Sequence, residues 1–360
     1  MSVSRPTLAD VAAHAGVSIS TASIAFSDTG SIAEGTRARI LDSAQALGYA
    51  GPSALGRQLR SGRTGIIGVV LDSALKHTFR DPVSIRVLDG ISRSLGERGF
   101  GVLLIPGATD PMNQAVINPL LEVAAFDAAI LTWGGQEDDP AYEVLARKHI
   151  PMVFAEGRPA GNTPLVNVRD REGTEQLTRH LLALGHRNIA VVTLNLNAGT
   201  PAALVTEPIT EDTWLPSHDR LLGVYDAGVT PVAIWQSALS LIEDGQLAAK
   251  ALLDPSSYAS PDLMPTAIIA QSDLLAIGVM QEARAMGLRV PEDVSVAGFD
   301  GIDLAWLGSD KLTTVSQPLE ERGERLAQAV LELLDTGHSP NVLLPIELSI
   351  GSTTGPVPAR

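Results

Sequence analysis

The chain has 360 residues, 45% of them apolar, with 26 basic against 41 acidic side chains, a formal charge of −15 and no cysteine. That length holds more than one domain with a large core. Without cysteine a disulfide framework is excluded, and no apolar run reaches bilayer-spanning length or forms a secretory core at the start, so the expected place is the cytoplasm, away from any membrane.

The charge is uneven. Residues 1–64 carry six arginines (Arg5, Arg37, Arg39, Arg57, Arg60 and Arg63) against Asp10, Asp28, Glu34 and Asp42, a net of +2 that leaves −17 on the remainder. An acidic body repels a polyanion and leaves a modest basic head as the only surface that can hold one.

Within that head TLADVAAHAGVSISTASIAFS, residues 7–27, predicts two short helices hinged at Gly16. Thr7 caps the first in a T-x-x-D box with Asp10, and Leu8, Val11, Ala12 and Ala15 share one face. Gly16 accepts the positive backbone angle of a tight turn, and Ala12 lets the second helix approach. Ser18 caps the second helix. Ala22, Ala25 and Phe26 face inward and leave Ile19, Ser20, Ser23 and Ile24 outward, where a helix in the major groove meets base edges and phosphates. The same pattern suits an ordinary helical hairpin. Ser31-x-x-Glu34 predicts the cap of a third helix with Ile40, Leu41, Ala44 and Leu47 inward, ending at Gly48-Tyr49.

GPSALGRQLRSGRTG, residues 51–65, then sets Arg57, Arg60 and Arg63 on a short segment between Pro52 and Gly62. A helix of about eight residues is marginal in water, and Gly56 at its middle costs a further ~1 kcal/mol. The segment is expected not to hold as a helix on its own.

From Thr64 the pattern becomes apolar strand, turn and amphipathic helix. GIIGVVL (65–71), GVLLIP (101–106), DAAILTW (127–133) and PMVFAE (151–156) form one series, and NIAVVTL (188–194), TPVAIW (230–235), TAIIAQ (266–271) and VSVAGFD (294–300) a second. Two doubly covered parallel sheets imply two lobes with a cleft between them. Asn195–Ser217, rich in Thr, Pro and Ala, reads as a long irregular loop.

The head, the basic segment and the runs LLALGHRNIAVV (181–192), GLRVPEDVSVAGFD (287–300) and LTTVSQPLEERG (312–323) together resemble the lactose-repressor (LacI/GalR) family of bacterial regulators. The resemblance implies a helix-turn-helix head over 1–50, a hinge helix over 51–63 and a periplasmic-binding-protein-like, two-lobed effector and dimerisation core over 64–360. The chain would cross between lobes three times, giving lobe 1 residues 64–162 and 314–336 and lobe 2 residues 165–312 and 343–358. It further implies a homodimer on a pseudo-palindromic operator in double-stranded DNA. Thr7, Ser18, Ile19, Ser20, Thr21, Ser23 and Ile24 of the head would contact that DNA, with Ser53, Ala54, Arg57, Leu59 and Arg60 of the hinge. Leu59 matches the family's apolar wedge between base steps. Gly56 stands where the family commonly has alanine, and Ile24 where many members carry arginine or another polar residue. Gly51 is one residue more than the family has before the hinge.

Ligands of open parallel sheets bind beyond the carboxyl ends of the strands, which here carry Asp72, Trp133, Glu156, Trp235, Ser272 with Asp273, and Asp300. Asp72, Glu156, Ser272, Asp300, Gln317 and Arg220 fall on positions that look effector-contacting in the family, although Glu156 replaces its usual Asp. Carboxylates accept from hydroxyls, Arg220 clamps an anionic or hydroxyl-rich group, and Trp133 or Trp235 supplies a flat wall. Asp273 reads better as a helix cap, and Trp235 equally as core. A small polar metabolite, a sugar first, is the expected effector. Its preference for one interlobe angle would set the spacing of the two hinges.

The chain has no phosphate loop, no dinucleotide fingerprint and no nucleophile elbow, and its seven histidines lack close metal-type pairing. No cofactor, metal or enzymatic activity is therefore expected, and His186 reads as structural. The competing class is a solute-binding protein of a transport system, which shares the two lobes but has no use for residues 1–64.

Overall fold

The computed structural model describes residues 6–26, 31–51, 62–71, 75–110, 113–132, 139–158, 161–197, 199–210, 215–302 and 310–358, with backbone alone at 108–110 and 113–116. The hinge candidates Ser53, Ala54, Arg57, Leu59 and Arg60, and the cleft candidates Asp72 and Trp133, lie outside the described residues. The chain divides into two compact units, residues 1–65 and 66–360.

The first unit holds α1 (Leu8–Ala15), α2 (Ile19–Ala25) and α3 (Glu34–Leu47). Thr7 and Asp10 close the expected capping box. Gly16, at φ 65°, ends α1 in the left-handed conformation and lets the Val17 amide bond back to the Ala12 carbonyl at 3.0 Å. Val11, Ala12, Ala15, Ala22, Ala25, Ile40 and Ala44 form a small core. Two expectations fail at α3. Its N-cap is Ala33 without any side-chain bond, because the helix starts at Glu34 and strands Ser31 two residues upstream of the cap. Leu41 is exposed, and Ser43 turns inward in its place, its hydroxyl donating to the Arg39 carbonyl at 2.8 Å.

The second unit opens with β1 (Ile66–Leu71), α4 (Leu75–Thr78), α5 (Pro82–Glu97), β2 (Gly101–Pro106), the β3–β4 hairpin (Ala108–Asp110, Asn113–Ile117), α6 (Leu120–Val123), β5 (Ala128–Leu131), α7 (Pro140–Arg147) and β6 (Met152–Phe154). Then follow β7 (Val166–Val168), α8 (Asp170–Ala183), β8 (Ile189–Thr193), β9 (Ala203–Leu204), α9 (Leu215–Asp226), β10 (Ala233–Gln236) and α10 (Ile242–Leu252). The rest is β11 (Ala267–Ala270), α11 (Asp273–Ala285), β12 (Ser295–Asp300), β13 (Thr313–Ser316), α12 (Leu319–Thr336), β14 (Val342–Leu344) and β15 (Glu347–Ser349).

One parallel sheet has the order β2-β1-β5-β6, and the other β15-β13-β12-β11-β8-β10-β9 with antiparallel edges. Their strands are continuous apolar runs because helices cover both faces. α5 and α12 pack on one face of the first sheet, and α10 with α11 on one face of the second. β13 pairs with β12, so the chain leaves the second sheet at Gln317 and not at 314. β7 and β14 pair in parallel as a two-stranded link. The expected loop 195–217 contains β9 and the start of α9. Leu274, Ile277 and Ile302 of the second lobe join the apolar cluster of the first, which brings the lobes into contact.

Glycines set the helix spacing. A Cβ on Gly278 of α11 would lie 2.1 Å from the Ile242 carbonyl of α10, and one on Gly323 of α12 would lie 2.2 Å from the Val87 carbonyl of α5. A backbone oxygen cannot swing aside as a side chain does. Gly278→Ala should therefore destabilise the core by about 1–3 kcal/mol, overriding the ~1 kcal/mol that alanine gains in a helix. Gly96→Ala, in α5 with nothing within 4 Å of its added Cβ, should stabilise it. Denaturant unfolding of both variants checks the opposite signs.

Candidate functional sites: a DNA-reading head and an interlobe polar relay

In the head, α1 and α2 meet at 100°, within the range of helix-turn-helix units. Ser18 Oγ accepts from the Thr21 amide at 3.1 Å and lies 2.8 Å from both Ser20 Oγ and Thr21 Oγ1, so three candidate DNA-contacting hydroxyls are gathered at one helix start. Ile19, 56% exposed, stands beside them. Ser23 and Ile24 lie one to two turns further on, partly buried. Thr7 is held in its capping box, and Arg37 Nη1 donates to the Ala25 carbonyl at 3.0 Å, tying α3 to the end of α2. The outer face of α2 is thus rigidly presented and mostly uncharged.

In the core, four of the predicted cleft residues converge. Arg220 of α9 is 2% exposed. Its Nε donates to Asp170 Oδ1 at 2.6 Å and its Nη1 to the Gln271 carbonyl, and its guanidinium lies 3.7 Å over the Phe299 ring. Nη1 also stands 3.7 Å from Asp300 Oδ1. Asp300, at the carboxyl end of β12, accepts from Gln317 Nε2 at 2.7 Å. Gln317 Oε1 accepts from Arg322 Nη1 at 3.3 Å, and Arg322 Nη2 donates to the Ala155 carbonyl at 2.5 Å while standing 2.5 Å from Glu156 Oε1. The relay runs from Glu156, at the end of the first sheet, to Arg220 and Asp170 on the helices of the second.

Asp300 adopts φ 129°. That conformation is strained for any side chain but glycine, and such strain persists where the surroundings over-determine a functional geometry. Next to it, Gly301 has φ 72° and no room for a Cβ beside Ser316.

Burial sets the electrostatics. It lifts the Glu156 carboxyl to about 7 against the pull of Arg322. It lifts Asp273 to about 7 although Thr314, Ile302 and Gly301 donate to it. Asp300 is pushed well above the usual carboxylate range, first by burial and then by its acidic neighbours Asp273 and Asp81, with Arg220 opposing. With their carboxyls at about 7, Glu156 and Asp273 can both accept from and donate to hydroxyls near neutrality.

The remaining predicted residues serve differently. Ser272 caps α11, its Oγ accepting from the Leu275 amide at 3.2 Å and from Ser240 Oγ at 2.8 Å. Asp273, expected as that cap, instead accepts from Thr314 Oγ1 at 2.6 Å and the Ile302 amide at 2.9 Å, pinning the turn after β12 to β13. Trp235 packs half-buried against the layer of α10 and α11, away from Arg220, and its indole Nε1 is buried with no acceptor. His186 is buried between Thr266 Oγ1 at 2.9 Å and the Gly355 carbonyl at 3.0 Å, where it fastens the tail. Asp170 and Arg322 entered no sequence expectation. Among the described residues no three His, Asp or Glu side chains form a metal-binding group, and no single helix is long and apolar enough to cross a membrane.

Comparison with known proteins bears on the head and on the core as domains. Residues 7–51 match the model of bacterial regulatory proteins of the lacI family, and residues 178–354 that of a periplasmic binding protein-like domain. An HTH-type transcriptional regulator of Mycobacterium tuberculosis is 32% identical over 98% of each chain, and the HTH-type transcriptional regulator IpsA of Corynebacterium glutamicum is 30% identical over 98% of each. Among solved structures, a transcriptional regulator CelR–cellobiose complex superposes with a TM-score of 0.67 at 26% identity, covering 97% of this chain and 100% of that one. The lac repressor dimer bound to operator and an anti-inducer shares the fold, with a TM-score of 0.78 at 23% identity over 98% of this chain and 100% of that one. The chain belongs to the lacI family of bacterial regulatory proteins and is a DNA-binding transcriptional regulator with a periplasmic-binding-protein-like, effector-binding core.

Proposed function

We propose that the chain is a dimeric repressor whose two heads grip a pseudo-palindromic operator and whose grip is set by a sugar-like metabolite between the lobes. The convergence of Glu156, Arg220, Asp300 and Gln317 from both lobes into one buried relay carries this reading. A hydroxyl-rich ligand competes for these groups and favours one interlobe angle, and that angle sets the spacing of the paired hinges. A near-complete reversal of occupancy needs about 5.5 kcal/mol of preference between the two states. The CelR relative was captured with cellobiose, which supports a sugar. A regulator of transcription works where the chromosome lies, so we place it in the cytoplasm, acting by binding and without catalysis. A solute carrier would share the core but leaves the helix-turn-helix without a task.

The contacts assigned to Ser53, Ala54, Arg57, Leu59 and Arg60 rest on the sequence. Burying a leucine between base steps is worth about 1.5–3 kcal/mol. Leu59→Ala should therefore weaken specific operator binding by about 10- to 100-fold and barely change nonspecific binding. Equal losses in titrations at fixed salt would remove the wedge. Gel shifts with genomic fragments, repeated over a panel of sugars, test the function itself.

A further inference from the structure

Arg322 is the largest fully buried side chain among the described residues, and its place is unusual for a cation. It lies in the first turn of α12, on the same stripe as Leu319, Leu326 and Val330, which pack into the core of the first lobe. An apolar side chain would fill that space without the cost of burying a charge. The guanidinium instead lies across the carboxyl ends of three strands. It borders a cavity of about 10 Å³, the size of one water, together with Leu71 at the end of β1, Thr132 after β5 and Ala155 after β6.

Its fork reaches three groups at once: the Ala155 carbonyl, the Glu156 carboxylate and Gln317 Oε1. The third contact orients an amide. With Oε1 facing Arg322, the Gln317 nitrogen must point to Asp300, and Asp300 in turn faces Arg220. Gln317 sits where the chain passes from β13 of the second sheet to α12 of the first lobe, so this amide bridges the lobes.

Resting on the reading of the cleft as the effector site, the geometry points to Arg322 as the positioning residue of that site. One guanidinium fixes Glu156 and the Gln317 amide, so that the first lobe offers its ligand-facing groups in register with Asp300 and Arg220 of the second. An effector enters by exchanging its own hydroxyls for these internal bonds. Glu156 is faced by Arg322 from α12, by Asp170 from α8 and by Arg220 from α9. Arg322 is the cation that draws most strongly against burial there.

The test is the pH dependence of thermal unfolding of the full-length chain, for wild type, Arg322→Lys and Arg322→Met, each with and without Glu156→Gln. The difference made by Glu156→Gln isolates one carboxyl from Asp273 and Asp300. A carboxyl raised from 4.5 to about 7 in the folded protein adds stability that is complete below pH 4.5 and lost as pH rises through 7. Wild type should show that step near pH 7. Arg322→Met should move it upward by at least about one pH unit, and Arg322→Lys, which keeps the charge, should hold it near the wild-type position. If Arg322→Met only lowers the melting temperature in parallel at every pH, the residue is packing and the proposal fails. Should Arg322→Met not fold, the Arg322→Lys step decides, since a step displaced upward by the retained charge would also refute the proposal. An operator titration of wild type tests the regulatory reading separately, and its failure would leave this step where it is.

Discussion

Replacing Arg220 by alanine will lower the melting temperature of the core by on the order of 10 °C and erase the effector response together. The guanidinium is buried with Asp170, the Gln271 carbonyl, Asp300 and the face of Phe299. Its removal strands two carboxylates in a low-dielectric interior, a loss of about 3–5 kcal/mol, and roughly 2–4 °C follows each kcal/mol in a domain of this size. A surface clamp would behave differently, giving loss of response at unchanged stability. Arg220→Lys should recover part of the stability through the charge, and little of the response, since one ammonium cannot serve Asp170, Gln271 and Asp300 together. A calorimetric scan of both variants checks the order.

Ile40→Ala will abolish operator binding while the core keeps its own unfolding transition. The head is a unit of 65 residues whose core, among the described residues, is seven buried side chains, of which Ile40 is fully inaccessible and Val11 and the alanines supply little volume. A unit of that size holds only about 3–5 kcal/mol from its core, and Ile→Ala in a packed site removes about 2–5 kcal/mol. What remains does not keep the outer face of α2 presented. A gel shift at low salt reads the loss, and retention of binding within threefold of wild type would show that the head draws its stability from elsewhere.

Local signals were legible and long-range ones were not. The Thr7–Asp10 box, the Gly16 turn and the eight main strands are set by neighbours in sequence, and they stand where the pattern placed them. Residue types at strand ends pointed to Glu156 and Asp300, and the family resemblance to Arg220 and Gln317, which the fold brings together. Asp170 and Arg322 were missed because they stand among other charges, in R-D-R-E and E-E-R-G-E-R. The helical period held the clue. Asp170 precedes Thr174, Leu177 and Leu181 on the buried face of α8, and Arg322 falls between Leu319 and Leu326 on that of α12. A charge on an apolar stripe is one that the fold must pair. Ser272, Asp273 and Trp235 sit at the right strand ends, but side-chain direction there is set by contacts with Ser240, Thr314 and the α10–α11 layer that no spacing reveals.

The central claim is that occupancy of the interlobe relay governs the grip of the heads on DNA. Its most direct measurement pairs two titrations of the full-length chain at fixed salt. A panel of neutral sugars is first screened for those that raise the melting temperature, a rise of about 2.7 kcal/mol in stability being expected at 100 times the dissociation constant. The operator dissociation constant is then measured with and without each stabilising sugar. The account predicts at least a tenfold change in operator affinity, in one consistent direction, that disappears in Arg220→Lys. A sugar that stabilises the core and leaves operator affinity unchanged would contradict it.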